Sequence, residues 1–316
     1  MSNNSEIKAQ VVSVNVSDAK GTVKHPVATV QVTERGIEGD AHAGAWHRQV
    51  SLLSQESVDR FAQLKGRRIE PGEFAENITV SGVDTGSAAV LDMFRIGSVK
   101  LQVTQIGKSC HGAECAIFRE VGECIMPKEG LFCRVLSGGK ISPGDTVDYL
   151  QNTLNLRVIT LSDRAHRGEY ADKSGPEVRA MLDEFFSGKR WHTEIRETVL
   201  PDDPDMLRSH LLAARDEEAD VVFTTGGTGV GPRDFTPETV ASVCDKLIPG
   251  ITEHVRMKYG ELNPNALLSR SVAGVAGGTL IYALPGSVRA VREYMSEILT
   301  TLEHLIFMVN GLDSGH

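Results

Sequence analysis

The chain has 316 residues, of which 41% are hydrophobic and 24% charged, a length and balance that fit two ordinary globular domains. Its net charge of −9 is uneven: residues 1–150 carry 16 Lys+Arg against 18 Asp+Glu, and 151–316 carry 17 against 24, so neither half has the basic excess expected of a nucleic-acid partner. Residues 1–8 are polar with no apolar signal core, and the longest strongly apolar stretch, residues 305–309, is too short for a bilayer, so no membrane association and a cytoplasmic location are expected.

The first half is written in short β-branched or alternating runs at residues 10–16, 28–33, 49–53, 77–80 and 98–106. In the last run Val99, Leu101 and Val103 face one way and Lys100, Gln102 and Thr104 the other, the period of a half-buried strand. Glycine turns at Gly36, Gly39, Gly97 and Gly107 separate the runs, and one helix is predicted near residues 54–64. A mainly β, barrel-like domain over residues 1–150 is the natural reading. The polar stretch 149–155 is predicted to be a linker.

Strands and helices alternate beyond it: strand 156–161, helix 174–186, strand 193–200, helix 204–218, strand 219–225, helices 236–245 and 252–259, strand 279–284 and a long helix 287–310. This predicts a three-layer α/β domain over residues 151–316 with a mostly parallel sheet. Ligands of such sheets collect at the carboxyl ends of the strands. Four of those ends are polar or glycine-rich: Ser162-Asp163-Arg164, Pro201-Asp202-Asp203, Thr224 to Gly229, and Leu284-Pro285-Gly286-Ser287.

The third is the most informative. Thr225-Gly226-Gly227-Thr228-Gly229 follows an apolar strand and leads through Arg233-Asp234 to Thr236-Pro237, read as a helix cap and first turn. Closely spaced glycines let backbone N–H groups approach an anion, so the turn suits phosphate, although a tight connection after a buried strand has the same composition. It is neither a Walker loop nor a dinucleotide Gly-x-Gly-x-x-Gly. Asp202 and Asp234 are the carboxylates placed to hold Mg²⁺ and serve catalysis. Asp203 reads as a helix cap, and Asp202 has a turn residue as its alternative.

Five cysteines without a secretion signal argue against a disulfide scaffold, yet Cys110, Cys115, Cys124 and Cys133 crowd into one segment. Cys110, His111, Cys115 and Cys124 stand open to two readings, a soft-ligand site for zinc or a single nucleophilic thiol; Cys133, between Phe132 and Arg134, reads as core. His42 and His47, near Asp40, are candidates to line the same pocket.

Ser162-Asp163-Arg164, Gly168, Asp172, Pro201-Asp202-Asp203, Thr224 to Gly229, Arg233-Asp234, Thr236-Pro237, Ser269-Arg270 and Leu284-Pro285-Gly286 together resemble the MoaB/MogA family of molybdenum cofactor biosynthesis proteins. The resemblance implies Mg²⁺-dependent adenylation of molybdopterin by ATP with release of pyrophosphate, with Asp202 and Asp234 at the family's two functional aspartates. Ser162, Asp163, Thr225 to Gly229, Arg233, Ser269, Arg270, Pro285, Gly286 and Ser287 would then bind the pterin or the nucleotide. It also implies a homo-oligomer, by family habit a trimer, and molybdenum-insertion proteins and molybdoenzymes as partners.

The first half resembles a MOSC domain, on Gly36-Ile37-Glu38-Gly39-Asp40-Ala41-His42, residues 49–54, Gly72 to Asn77, and the 134–139 and 144–145 ending. That resemblance implies binding of the molybdenum cofactor or carriage of sulfur on one reactive thiol. Cys115 fits the position best, with Cys110 and Cys124 as rivals, in the field of Lys108, His111 and Arg119. The alternative from another class is a non-catalytic molybdopterin carrier or insertion chaperone for molybdenum or tungsten; a zinc-stabilised binding protein is a third.

Overall fold

The computed structural model describes residues 9–108 and 124–312. They divide between Asn152 and Thr153 into two compact units. Among the described residues no helix is long and apolar enough to cross a membrane.

The first unit contains β1 (Gln10–Val16), β2 (His25–Val27), β3 (Val30–Thr33), β4 (Gly36–Ile37), β5 (Val50–Ser54), α1 (Gln55–Lys65), β6 (Ile78–Ser81), β7 (Met93–Ile96), β8 (Val99–Ile106), α2 (Met126–Glu129), β9 (Leu131–Ser137), β10 (Gly139–Ile141) and β11 (Val147–Leu150). They form an eight-stranded sheet in the order β11-β7-β8-β9-β5-β6-β1-β2 and a three-stranded sheet β10-β3-β4. All pairings are antiparallel except β5 with β6. Among the described residues these sheets do not close into a barrel, so the barrel-like expectation is met only as a mainly β domain. β6 takes one edge of β1, and β2 takes the other edge from Val14 to Val16, so only the start of β1 is left to face the β11 side. It does so through one bridge, Gln10 to Thr146, with the Val11 amide donating to Asp145 O (2.8 Å), the Gly144 amide to Val11 O (2.8 Å) and the Val147 amide to Ala9 O (2.9 Å).

Alternation decides what the strands bury. Val99, Leu101 and Val103 lie in the core with Val14, Leu52, Ile78, Phe94 and Leu131. Helix α1 forms as predicted because both ends are capped: Ser54 accepts from the Ser57 amide at 3.1 Å, and Gly66 closes the helix at φ +64°.

The second unit runs β12 (Thr153–Leu161), α3 (Asp163–His166), α4 (Ser174–Phe186), β13 (His192–Leu200), α5 (Pro204–Asp216), β14 (Val221–Thr225), α6 (Thr236–Val243), β15 (Lys246–Leu247), α7 (Pro249–Gly260), a 3₁₀ turn (Pro264–Leu268), β16 (Ala273–Ala276), β17 (Thr279–Leu284) and α8 (Val288–Val309). Its sheet is mixed, in the order β13-β12-β14-β17-β16-β15. The first four strands are parallel, β16 runs against them, and β15, antiparallel to β16, runs in their direction again. Every residue of β14 and β17 is buried, as continuous apolar runs in a parallel sheet covered on both faces require. Leu207 and Leu211 of α5 and Val240 of α6 pack with Ile159, Val222 and Ile281. Phe223 and Tyr282, one residue out of phase, point to the other face and stack at 5.1 Å. Helices α4 and α8 pack on each other and on β12 and β17. The stretch 149–155, expected to be a linker, is mostly strand: β11 ends at Leu150 and β12 begins at Thr153.

Candidate functional site

Parallel strands β12, β14 and β17 end side by side, so the segments that follow them meet at one edge of the sheet. The glycine loop after β14 is held there by its carbonyls. Thr236 Oγ1 donates to Gly226 O at 2.9 Å and the Thr236 amide to Gly227 O at 3.1 Å. Arg270 fans over the rest: its amide donates to Thr228 O (2.9 Å), Nε to Gly229 O (2.6 Å) and Nη2 to Asp234 O (2.7 Å). Arg270 is thus occupied in shaping the loop. With the carbonyls drawn towards protein, the amides of Gly227, Thr228 and Gly229 have no protein acceptor among the described residues. Such a row of free N–H groups is a cradle for an anion.

Two glycines are required by the backbone. Gly226 has φ +104° and an added Cβ would lie 2.6 Å from Leu161 O; Gly227 has φ +63° and its Cβ would lie 2.5 Å from Thr236 Oγ1. The loop after β17 packs on this turn: the Gly226 amide donates to Leu284 O at 3.0 Å, and a Cβ on Gly286 would come 3.2 Å from Gly226 Cα. Ser287 caps α8, accepting from the Ala290 amide, beside Pro285. Thr236, expected to be a cap, instead lies in the first turn of α6 with its hydroxyl turned back to the glycine loop.

A cavity of about 410 Å³ opens beside the loop, lined by Leu161, Ser162, Asp163, Arg164, Arg167, Asp202, Gly227, Arg233 and Asp234. Its three carboxylates therefore come from the segments after three different strands. Asp163 Oδ1 accepts from the Asp202 amide at 3.0 Å, and Asp163 Oδ2 meets Arg233 Nη1 at 3.3 Å. Asp234 Oδ2 accepts from the Gly231 amide at 2.7 Å. Ser162 caps α3 and its hydroxyl lies 2.9 Å from Tyr170 Oη. Asp203, as expected, caps α5 through the amides of Asp205 and Met206, leaving Asp202 to the cavity. Arg164 stood in the polar segment after the first strand, but sequence reasoning missed Arg167 as a lining residue; its i, i+3 spacing from Arg164 was the available signal.

Thr225 lies beneath the loop in a buried hydroxyl chain. Asp172 accepts from Thr160 Oγ1 at 2.6 Å and from Ser174 Oγ at 3.0 Å, and Ser174 Oγ is 2.9 Å from Thr225 Oγ1. Ser269 faces elsewhere: with Arg256, Thr252, Arg270 and Ser271 it lines a second cavity of about 380 Å³, and its hydroxyl meets Ser271 Oγ and Tyr294 Oη.

Among the described residues no three His, Cys, Asp or Glu side chains converge on a ready-made metal site. Mg²⁺ needs less, one or two carboxylates completed by water and phosphate oxygens, and hard oxygen donors on Asp163, Asp202 and Asp234 beside a phosphate-type cradle fit that demand.

In the first unit Lys24 and Asp40 form a fully buried ion pair. Burial alone would raise the Asp40 pKa, but hydrogen bonds from His42 and Lys24 outweigh it and hold the carboxyl well below the usual range. His42 lies 3.3 Å from Lys24 Nζ, and its carbonyl accepts from Trp46 Nε1 at 2.7 Å. Lys20 and Arg48 flank the Trp46 ring. His47 Nδ1 meets Thr104 Oγ1, and burial followed by the Arg48 charge lowers its pKa. Cys133 is fully buried, as predicted, and burial pushes its thiol far up. Cys124 is half-buried against the cluster of Leu53, Phe61 and Phe74. Cys110, His111, Cys115 and Arg119 lie outside the described residues.

The profile of the probable molybdopterin binding domain matches residues 157–304, and that of the MOSC domain residues 39–148. A Helicobacter pylori (strain J99) protein named molybdopterin adenylyltransferase is 34% identical over 160 residues, covering 50% of this chain and 89% of that protein. Molybdenum cofactor biosynthesis protein B of Bacillus cereus is 37% identical over 158 residues, 49% of this chain and 89% of that protein. A solved structure of MogA, 34% identical, covers 50% of this chain and 99% of its own, with a TM-score of 0.46. The chain belongs to the MoaB/MogA family of molybdenum cofactor biosynthesis proteins, its family domain preceded by a MOSC domain.

Proposed function

We propose that residues 151–316 adenylate molybdopterin with Mg-ATP, and that the MOSC domain, residues 1–150, binds the cofactor or carries sulfur on a cysteine, Cys115 foremost. One observation carries the first part: Gly227 of the glycine loop, three arginines and three aspartates border a single cavity, and the amides of Gly227 and its neighbours Thr228 and Gly229 have no protein acceptor among the described residues. Phosphate groups lie against the amides of residues 227–229 and the guanidinium groups of Arg164, Arg167 and Arg233. Asp202 and Asp234 would hold Mg²⁺, which when bound neutralises phosphate oxygens and orients the α-phosphorus. A phosphate oxygen of molybdopterin bonds to that phosphorus as the α–β bridging bond breaks, and pyrophosphate leaves with the electron pair. The attacking oxygen is already deprotonated, so the chain's task is positioning and charge stabilisation. The resemblance adds a homo-oligomer and transfer to molybdoenzymes.

One feature favours the alternative of a non-catalytic carrier: Asp234 already accepts from the Gly231 amide. Pyrophosphate release from Mg-ATP and molybdopterin separates the two readings. Release that needs the pterin and falls by about 100-fold or more in Asp234→Ala, the scale of one lost transition-state contact, supports the enzyme; tight pterin binding without release supports the carrier.

A further inference from the structure

The cavity's charges are balanced, three aspartates against three arginines, and Asp163 is where they are joined. Its carboxylate accepts from the Asp202 amide and also meets Arg233, so one side chain ties the segment after β12 to the one after β13 and to the arginine beyond the glycine loop. The tie to Arg233 is loose: the guanidinium side chain is 77% exposed and the distance is 3.3 Å, conditions under which water and salt compete well. The charges of Asp163 and Asp202 also reach Arg167.

This arrangement penalises either ligand arriving alone. A polyphosphate drawing Arg233 away leaves the Asp163 carboxylate facing the phosphate oxygens. A divalent cation approaching Asp163 and Asp202 meets the Arg233 guanidinium already there. Both together replace one weak ion pair by two stronger contacts, arginine to phosphate and carboxylate to cation. We infer that Asp163 and Arg233 are an exchange pair that makes divalent cation and nucleoside polyphosphate binding mutually dependent, Arg233 passing to phosphate as Asp163 passes to the cation. The inference rests on the proposed function only in taking a nucleoside polyphosphate and a divalent cation as ligands of this cavity.

Linkage makes the test reciprocal. Calorimetric titration of the full chain with α,β-methylene-ATP, with and without Mg²⁺, gives the nucleotide side, and Mn²⁺ binding followed by electron paramagnetic resonance gives the metal side. Association of Mg²⁺ with the nucleotide in solution is common to all proteins compared and cancels in their ratios. Asp163→Asn keeps an oxygen for the Asp202 amide while removing the charge. It should bind the metal-free analogue about 3- to 10-fold more tightly than wild type and lose most of the gain from Mg²⁺. Arg233→Gln should bind Mn²⁺ more tightly without nucleotide and Mg-nucleotide more weakly, whereas Arg233→Lys should retain part of the coupling. A merely structural role for Asp163 would weaken both ligands, and that result, or unchanged coupling in both variants, overturns the exchange. Wild type that binds the analogue, and releases pyrophosphate from Mg-ATP and molybdopterin, while the variants keep full coupling refutes the exchange alone; wild type that binds no analogue refutes both readings.

Discussion

Glu76 is fully buried with one oxygen satisfied and one not. Oε1 accepts from the Gly72 amide at 2.6 Å and from Thr79 Oγ1 at 3.0 Å, while Oε2 has no partner among the described residues. Burial raises its pKa above the ordinary 4.5. The folded state therefore keeps its proton to higher pH than the unfolded chain, and stability falls as pH rises through and above 4.5. Glu76→Gln removes that penalty: its melting temperature should match wild type near pH 4.5 and exceed it at pH 8, by on the order of 1 kcal/mol or ~2–4 °C. Nothing in the local sequence distinguishes Glu76 from its half-buried neighbour Glu73, because the burial of Glu76 depends on distant partners, its carbonyl accepting from Asn15 of β1 and its carboxylate from Thr79 of β6. The same holds for Arg270. Its place beside Ser269 was legible, but its partners Gly229 and Asp234 lie 41 and 36 positions away and only the folded loop brings them under it.

Asp202 and Asp203 show what an element boundary decides. They are adjacent, yet Asp203 caps α5 through two amides at 2.9 Å, and Asp202 lines the cavity. Asp203→Ala should lower stability by ~1 kcal/mol, the usual worth of a cap, and leave pyrophosphate release within about twofold; Asp202→Ala should do the reverse. Calorimetry and the release assay on the two variants check this. The cap was legible because Asp-Pro opens a helix by local rules alone, and the strands 156–161, 219–225 and 279–284 because their apolar runs are long and bounded by turns. Strand β16 was not: Ala273-Gly274-Val275-Ala276 has one β-branched residue, and it is a strand because β17 pairs with it across the Gly277-Gly278 turn. The barrel was over-read for the opposite reason, since short strands reveal their number but not which edge of β1 is already taken.

At the scale of the molecule, joining two units on one chain raises the effective concentration of the binding sites of each for a ligand held by the other. Each has its own core, so residues 1–152 and 153–316 expressed separately should each give a cooperative melting transition, and 153–316 alone should keep pyrophosphate release; loss of either on separation would show that the units depend on each other. The order of strands in the second sheet has a consequence during synthesis. β17, made after every other strand of this sheet, belongs in its interior between β14 and β16. Until it arrives the nascent sheet is in two pieces, and the Gly226 amide lacks the Leu284 carbonyl that anchors it. A chain stopped before residue 279 would carry all three aspartates and the whole glycine loop, and still have no assembled site. Assembly of the site thus waits on β17, because the strand that joins the two pieces of the sheet also brings the carbonyl that anchors the glycine loop.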